Sequence, residues 1–149
     1  MRYAKFCVET SLSTSFVVAI AVVIFYDHKV LAMRRSQQKD AGPGLWEAVS
    51  GRVEKGEEPF YAAHREVLEE TRLKVSHDTR PITPSAATRL TQPMVVIVYR
   101  GESSNAIVRR SEEHDAHEWL TPECFSKKTQ ISQLAKAALQ ASKLGRYTL

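Results

Sequence analysis

Residues 51–73 read GRVEKGEEPFYAAHREVLEETRL, and this stretch decides the fold. Within it, Phe60, Ala63 and Val67 recur at spacings of three and four. That period predicts an amphipathic helix over residues 58–72, with a proline in its first turn, where a missing N–H group is tolerated. The segment is therefore expected to pack one apolar face against a core.

Three carboxylates follow on the same predicted helix. Glu66, Glu69 and Glu70 lie at positions i, i+3 and i+4, so they share one helix face. Like charges at this spacing repel each other, and a divalent cation would offset the repulsion because Mg²⁺ prefers carboxylate oxygens. Gly51 suits a tightly turned backbone whose carbonyl would add another oxygen. The alternative is a solvated charged face, which is the commoner explanation for an isolated E-x-x-E-E.

Together these residues resemble the Nudix box, G-x5-E-x7-R-E-U-x-E-E-x-G-U, in which U is aliphatic. The chain matches this pattern at Gly51, Glu57, Arg65, Glu66, Val67, Glu69, Glu70 and Leu73. Arg72 replaces the second glycine of the box. Because that glycine usually allows a left-handed turn, we expect an altered helix exit and an intact metal site.

Flanking segments extend the resemblance over most of the chain. Trp46 begins a stretch similar to the usual lead-in W-x-x-x-x-G-x-x-E-x-G-E, and residues 30–35 resemble the family's strand that ends in arginine. Glu113 and His114 begin an E-H-x4-W segment, which resembles a family segment in which the glutamate reaches the metal site from a loop. Trp119 closes that segment and is more typical of a core residue than of a ligand contact.

The resemblance implies an α/β (α+β) fold, namely a Nudix-type α/β/α sandwich with a mixed β-sheet, as one domain over residues 1–149. It implies an Mg²⁺-dependent pyrophosphohydrolase, with Mn²⁺ as the alternative ion, in which water attacks a phosphorus of a nucleoside or pterin polyphosphate. The residues implied at the metal are Gly51, Glu66, Glu69, Glu70 and Glu113. The same four carboxylates and Arg65 form the implied catalytic group, and the spacing leaves open which carboxylate is the base.

Other implied roles concern positioning and substrate. Arg65 would orient a carboxylate, with Glu57 as its structural partner. Arg34 and Arg35 would meet substrate phosphates by bidentate contacts, although solvated surface arginines are an equal alternative. Trp46 is a candidate substrate contact or a core residue.

Substrate choice lies outside the box. Thr88 stands where ADP-ribose pyrophosphatases have a proline, and Leu90 stands where diadenosine polyphosphate hydrolases have a tyrosine. The stretch W-E-A-V-S-G over residues 46–51 is similar to that of bacterial dihydroneopterin triphosphate pyrophosphatases, which favours a nucleoside or pterin triphosphate. The rival hypothesis is a Nudix-fold module that binds nucleotide or RNA without catalysis, against which the intact carboxylates argue.

The remaining elements follow from apolar runs and turn residues. We predict strands over residues 16–26, 30–35, 45–49, 94–99 and 118–120, and a second helix over 131–144. We predict loops over 36–44 and 76–87 and a turn over 101–105.

Composition limits the cell context and the partners. The chain has 149 residues and a formal charge of +4, which fits an anionic small molecule and is too small to indicate nucleic acid by itself, so we take nucleic acid as an unlikely partner. Its two cysteines, Cys7 and Cys124, form no disulfide framework, which favours a reducing compartment. The apolar run over residues 16–26 is shorter than the roughly 20 residues of a membrane span. We therefore expect a cytoplasmic protein without membrane contact. Whether the protein forms a homodimer is left open.

Overall fold

A mixed sheet forms the centre of the protein. The computed structural model describes residues 15–77, 81–89 and 91–144. The elements within those ranges are β1 (Val17–Tyr26), β2 (Lys29–Arg35), β3 (Trp46–Glu47), β4 (Val49–Arg52), α1 (Pro59–Thr71), β5 (Val75–His77), β6 (Thr83–Arg89), β7 (Gln92–Ser103), β8 (His114–Leu120), α2 (Pro122–Lys128) and α3 (Ser132–Lys143).

Strand β1 lies at the middle of this sheet. It pairs in parallel with β7 from Val17 to Phe25 and antiparallel with β2 and β4 on its other side. β8 and β3 pair with β2, while β5 and β6 pair with β7. Both faces of this strand are covered by helices, so successive side chains are apolar and do not alternate with polar ones. Residues 16–26 accordingly form a continuous Val- and Ile-rich run.

The two faces of β1 bury different cores. Ala21 and Val23 belong to a cluster that includes residues of α3 and Phe125 of α2. Ile20 and Val22 belong to a second cluster that includes residues of α1. Helices therefore cover both faces of a mixed sheet, and the predicted α/β/α sandwich is confirmed.

Helix α1 forms where residues 51–73 predict it. Ala63 and Val67 are buried in the cluster under the helix, with Phe60 packed at its edge. The helix begins at Pro59 and ends at Thr71, so the predicted limits are each one residue too wide.

The expected change in the helix exit at Arg72 is wrong. Arg72 itself adopts the left-handed conformation, with φ 59° and ψ 13°, and its N–H donates to the carbonyl of Leu68. The arginine thus makes the turn that a glycine would make, and the strain of its Cβ atom is retained in the fold.

Three further predictions are wrong. The segment 76–87 contains strand residues at both ends, in β5 and β6, because backbone pairing with β7 holds them without an alternating apolar pattern. The predicted strand over 45–49 is two strands separated at Ala48, and β7 continues through Gly101 to Ser103 instead of turning. Helix α2 is short and was not predicted.

Some predictions fall outside this description. Cys7 and Leu90 are not among the described residues, whereas Cys124 is exposed as a free thiol. Within the described ranges, the helices are too short or too polar to cross a membrane.

Candidate active site

Glu66 lies directly against Gly51. Helix α1 packs on β4, and a Cβ atom at position 51 would lie 2.0 Å from Cδ of Glu66. The carboxylate therefore occupies space that only a glycine leaves free. Burial raises the pKa of Glu66, and the hydrogen bond from Arg65 opposes that rise. The sequence places these two residues 15 positions apart, and the strand-to-helix packing brings them together.

Arg65 holds the acidic side of this site in place. Its Nε and Nη2 atoms each donate to Glu57 at 2.9 Å, and Nη2 also donates to the carbonyl of Arg52 at 3.0 Å. Its Nη1 atom donates to Glu66 at 2.7 Å and to Glu69 at 3.3 Å. The Arg65 guanidinium holds the pKa of Glu57 at about 2. One side chain therefore ties the loop before α1 to the carboxylates on it.

Glu70 is the most deeply buried of the three helical carboxylates. Burial raises its pKa to about 9, and the nearby charges of Glu47, Glu66 and Glu113 act in the same direction. Among the described residues, its Oε2 atom has no hydrogen-bond partner. A buried oxygen left unpaired in this way is destabilising unless a ligand or cation satisfies it.

A buried polar chain leads from Glu70 to the wall of the site. His114 Nδ1 lies 3.9 Å from Glu70 Oε2, and His114 Nε2 lies 2.9 Å from Glu47 Oε1. Arg35 Nη1 in turn donates to both oxygens of Glu47, at 3.0 and 3.1 Å. The buried His114 and Glu47 are thus held between a cation and an acidic helix face.

Glu113 lies in the loop before β8 and lines the same cavity as Gly51 and Glu66. Its carboxylate pairs with the ammonium of Lys39, which lowers its pKa. The two loops are also tied through their backbones, since Ser36 N–H donates to the carbonyl of Glu113 at 2.9 Å. Lys39 therefore neutralises a carboxylate at the opening of the site.

A cavity of about 760 Å³ is lined by some of these groups. Gly51, Glu66 and Glu113 line its acidic part together with Lys39. Small and apolar side chains of β1 and β7 line another part, and the segment that enters α3 contributes Gln130, Ile131, Ser132, Gln133 and Leu134. The cavity thus places carboxylates beside an apolar pocket with amide groups at its border.

The predicted substrate residues divide into two groups. Arg35 lines the cavity, where it is bound to Glu47 and to the carbonyl of Ala41. Arg34 pairs with Asp115 at the surface, and its guanidinium lies 5.9 Å from the ring centroid of Trp46. The structure therefore brings Arg35 to the carboxylates and puts Arg34 beside Trp46. As predicted for a core residue, Trp119 packs in the α1-side cluster.

The three helical carboxylates do not meet at one point. Glu69 is exposed and turns toward Arg65, whereas Glu70 is buried beneath the helix. In the described part of the chain, no three His, Cys, Asp or Glu side chains form a ready group for a metal ion. The donor set nevertheless fits a hard divalent cation, because it consists of carboxylate oxygens and includes the unpaired Oε2 of Glu70.

Sequence reasoning missed Glu47 and Lys39 and gave His114 no role. Glu47 follows Trp46 directly, and a lone acid beside a tryptophan carries no signal of burial. Its position depends on pairing of β3 with β2, where Met33 faces Glu47. Lys39 lies in a polar loop, and the spacing of residues along the sequence does not predict the path of that loop.

A family model described as NUDIX domain matches residues 15–141 of the chain. The chain therefore belongs to the NUDIX domain family, and the family assignment made from residues 51–73 is confirmed. Among curated proteins, a MutT-like protein of Streptomyces ambofaciens is 34% identical over 107 residues, which cover 72% of this chain and 64% of that protein. The match thus spans slightly less than two thirds of that relative's length.

Solved structures share the fold at lower identity. A MutT protein from Methanosarcina mazei Go1 has a TM-score of 0.79 at 21% identity, covering 91% of this chain and 99% of that one. A C. elegans Ap4A hydrolase has a TM-score of 0.72 at 22% identity, covering 85% and 96%. The E. coli dihydroneopterin triphosphate pyrophosphohydrolase has a TM-score of 0.66 at 23% identity, covering 83% and 92%. The fold is therefore common to neighbours that are named for different substrates.

Proposed function

We propose that this protein is a divalent-metal-dependent pyrophosphohydrolase that cleaves a nucleoside or pterin triphosphate by attack of water on phosphorus. The observation that carries the proposal is the contact of Glu66 with Gly51 at the wall of the cavity that Glu113 also lines. Nudix hydrolases generally use divalent metal ions, and we propose Mg²⁺ here, with Mn²⁺ as a substitute.

We assign different side chains to the phosphates of the substrate and to its nucleobase or pterin ring. A bound Mg²⁺ supplies neutralisation of phosphate oxygens and lowers the pKa of a coordinated water. Glu66, Glu70 and Glu113 would hold it, and Arg65 keeps Glu66 in place against Gly51. Arg35 contributes positive charge to the cavity wall. The apolar residues of β1 and β7 would receive the base or pterin ring.

A substrate panel tests the reaction class. Phosphate and pyrophosphate release is measured with Mg²⁺ and with Mn²⁺ from all dNTPs, dihydroneopterin triphosphate, ADP-ribose, nucleotide sugars and dinucleoside polyphosphates. We expect release of pyrophosphate from a triphosphate. If the protein releases nothing from any of these compounds, it is the binding module, and the proposal of catalysis is wrong.

Two variants test the site within an active protein. Glu66→Gln keeps the shape of the side chain and removes its charge, so kcat/KM should fall by roughly 10²-fold or more, which is about 2.7 kcal/mol. Glu69→Gln should behave likewise, and activity equal to that of the unsubstituted protein would show that Glu69 stays on Arg65 and does not face the cation. Glu58→Gln is the matched control, because Glu58 is the exposed residue at the start of α1. Its activity should equal that of the unsubstituted protein.

A further inference from the structure

His114 lies at the junction of three strands and a helix. It is the first residue of β8, where it faces Arg35 across the pairing with β2. The neighbouring pairing of β3 with β2 brings Glu47 to the same place. The side chain of His114 is 1% exposed, so its contacts are made within the protein interior.

The two ring nitrogens of His114 face different acids. Nε2 lies 2.9 Å from Glu47 Oε1, within hydrogen-bond distance, and Glu47 is fixed from its other side by Arg35. Nδ1 lies 3.9 Å from Glu70 Oε2, and both of these atoms lack a hydrogen-bond partner among the described residues. One side of the ring is therefore fixed, and the other side borders the unpaired oxygen of Glu70.

A purely structural network leaves this arrangement unexplained. Buried polar atoms in native proteins are nearly always paired, and two that face each other unpaired mark a place where something else completes the contacts. Glu70 is one of the carboxylates that the proposed function assigns to a divalent cation. The residue behind a metal-binding side chain commonly sets its direction, and altering such a residue weakens metal binding.

We propose that His114 is a positioning residue, which borders the Glu70 carboxylate through Nδ1 and fixes the direction in which that carboxylate faces the cation. This inference rests on the proposed function, since it takes Glu70 to be a metal ligand. Glu47 and Arg35 hold the ring through Nε2, so the chain from Arg35 to Glu70 acts as one rigid support.

Two substitutions of His114 distinguish the roles of its two ring nitrogens. His114→Gln places an amide near the position of Nε2, which retains the contact with Glu47 and removes the atom that faces Glu70. His114→Asn places an amide near the position of Nδ1, which retains the side facing Glu70 and removes the contact with Glu47. His117→Gln is the matched control, because His117 lies on the same strand and contacts Arg110 instead.

The measurement is Mn²⁺ affinity without substrate, read from the electron paramagnetic resonance signal of free Mn²⁺, together with Tm for each variant. We expect His114→Gln to weaken Mn²⁺ binding by about tenfold or more, His114→Asn to weaken it by about threefold through loss of the support from Glu47, and His117→Gln to leave it unchanged. Equal affinity in all variants would overturn the proposal. Equal loss in both His114 variants, tracking equal drops in Tm, would also overturn it, because that is the result of a structural role alone.

Substitution of Glu47 tests the same proposal if the His114 variants do not fold. Glu47→Gln keeps the size of the side chain and loosens the support of the ring, so Mn²⁺ affinity should fall by about threefold or more. Unchanged affinity in that variant would overturn the proposal. If the unsubstituted protein binds Mn²⁺ and hydrolyses nothing in the substrate panel, the proposed function fails, whereas the comparison of Mn²⁺ affinities still decides the role of His114.

Discussion

The carboxylate of Glu66 fills the volume that a side chain at position 51 would need, with Cδ 2.0 Å from the place of that missing Cβ atom. Gly51→Ala should therefore push the carboxylate away from the cavity. A displacement of about 1 Å in a catalytic group can reduce activity by roughly 10²-fold, so we expect a loss of that order in kcat/KM.

Gly56→Ala is the control for this substitution. Gly56 has φ +80°, and an added Cβ atom would meet nothing within 4 Å. This variant should lose about 1 kcal/mol of stability through backbone strain and keep its kcat/KM. The interpretation of Gly51 would be contradicted by Gly51→Ala and Gly56→Ala having the same activity.

Replacement of Arg72 by glycine should stabilise the protein. Its left-handed conformation, with φ 59°, strains any residue that carries a Cβ atom. Arg72→Gly should raise the free energy of unfolding by about 0.5–1 kcal/mol and Tm by roughly 2–4 °C, with kcat/KM unchanged. Arg72→Ala keeps the strain and should show no gain in thermal unfolding. A gain in the alanine variant equal to that in the glycine variant would show that the side chain, and not the backbone, is responsible.

The pairing of Glu57 with Arg65 predicts a dependence of stability on acid pH. The pKa of Glu57 is about 2 in the folded protein, below its ordinary value of 4.5. A lowered pKa means that the pair stabilises the fold above about pH 4.5 and loses this effect as the pH falls toward 2. The difference in Tm between the unsubstituted protein and Glu57→Gln should therefore shrink between pH 5 and pH 3. Glu58→Gln is the control, and its difference in Tm from the unsubstituted protein should not shrink in the same way. A difference in Tm for Glu57→Gln that stays constant between pH 5 and pH 3 would refute the stabilising role of the Glu57–Arg65 pair.

Under the proposed function, Lys39 competes with the cation for Glu113. Its ammonium pairs with Oε2 of the Glu113 carboxylate, so a positive charge lies beside a proposed metal ligand. Lys39→Met should therefore strengthen Mn²⁺ binding by about two- to fivefold, as removal of one nearby positive charge implies. Isothermal titration calorimetry measures the change, with Lys29→Met as a control at the exposed start of β2. Weaker Mn²⁺ binding in Lys39→Met would mean that Lys39 supports the site instead of competing with it.

Local patterns could predict only part of this molecule. Helix α1 and strand β1 follow from their own sequences, since one has a helical period and the other is a long apolar run. Strand β6 reads TPSAATR and has no such pattern, because its pairing with β7 supplies the hydrogen bonds that hold it. Its existence depends on a neighbour that no local signal identifies.

The same distinction applies to the site. Glu66 and Arg65 could be found because the helix spacing and the family pattern coincide on them. Glu47 and His114 meet only because β3 and β8 both pair with β2, at registers that only the folded sheet specifies. Residues that act together through sheet pairing are therefore the ones that sequence reasoning misses.

The parallel pairing of β1 with β7 has a consequence for synthesis of the protein. Val17 pairs with Met94, so the central strand leaves the ribosome long before its partner exists, by a time on the order of seconds. During that interval the Val- and Ile-rich edge of β1 is available to other chains. Slower elongation would lengthen that interval, so we expect the nascent protein to depend on a chaperone that covers the strand until the second half of the chain has emerged.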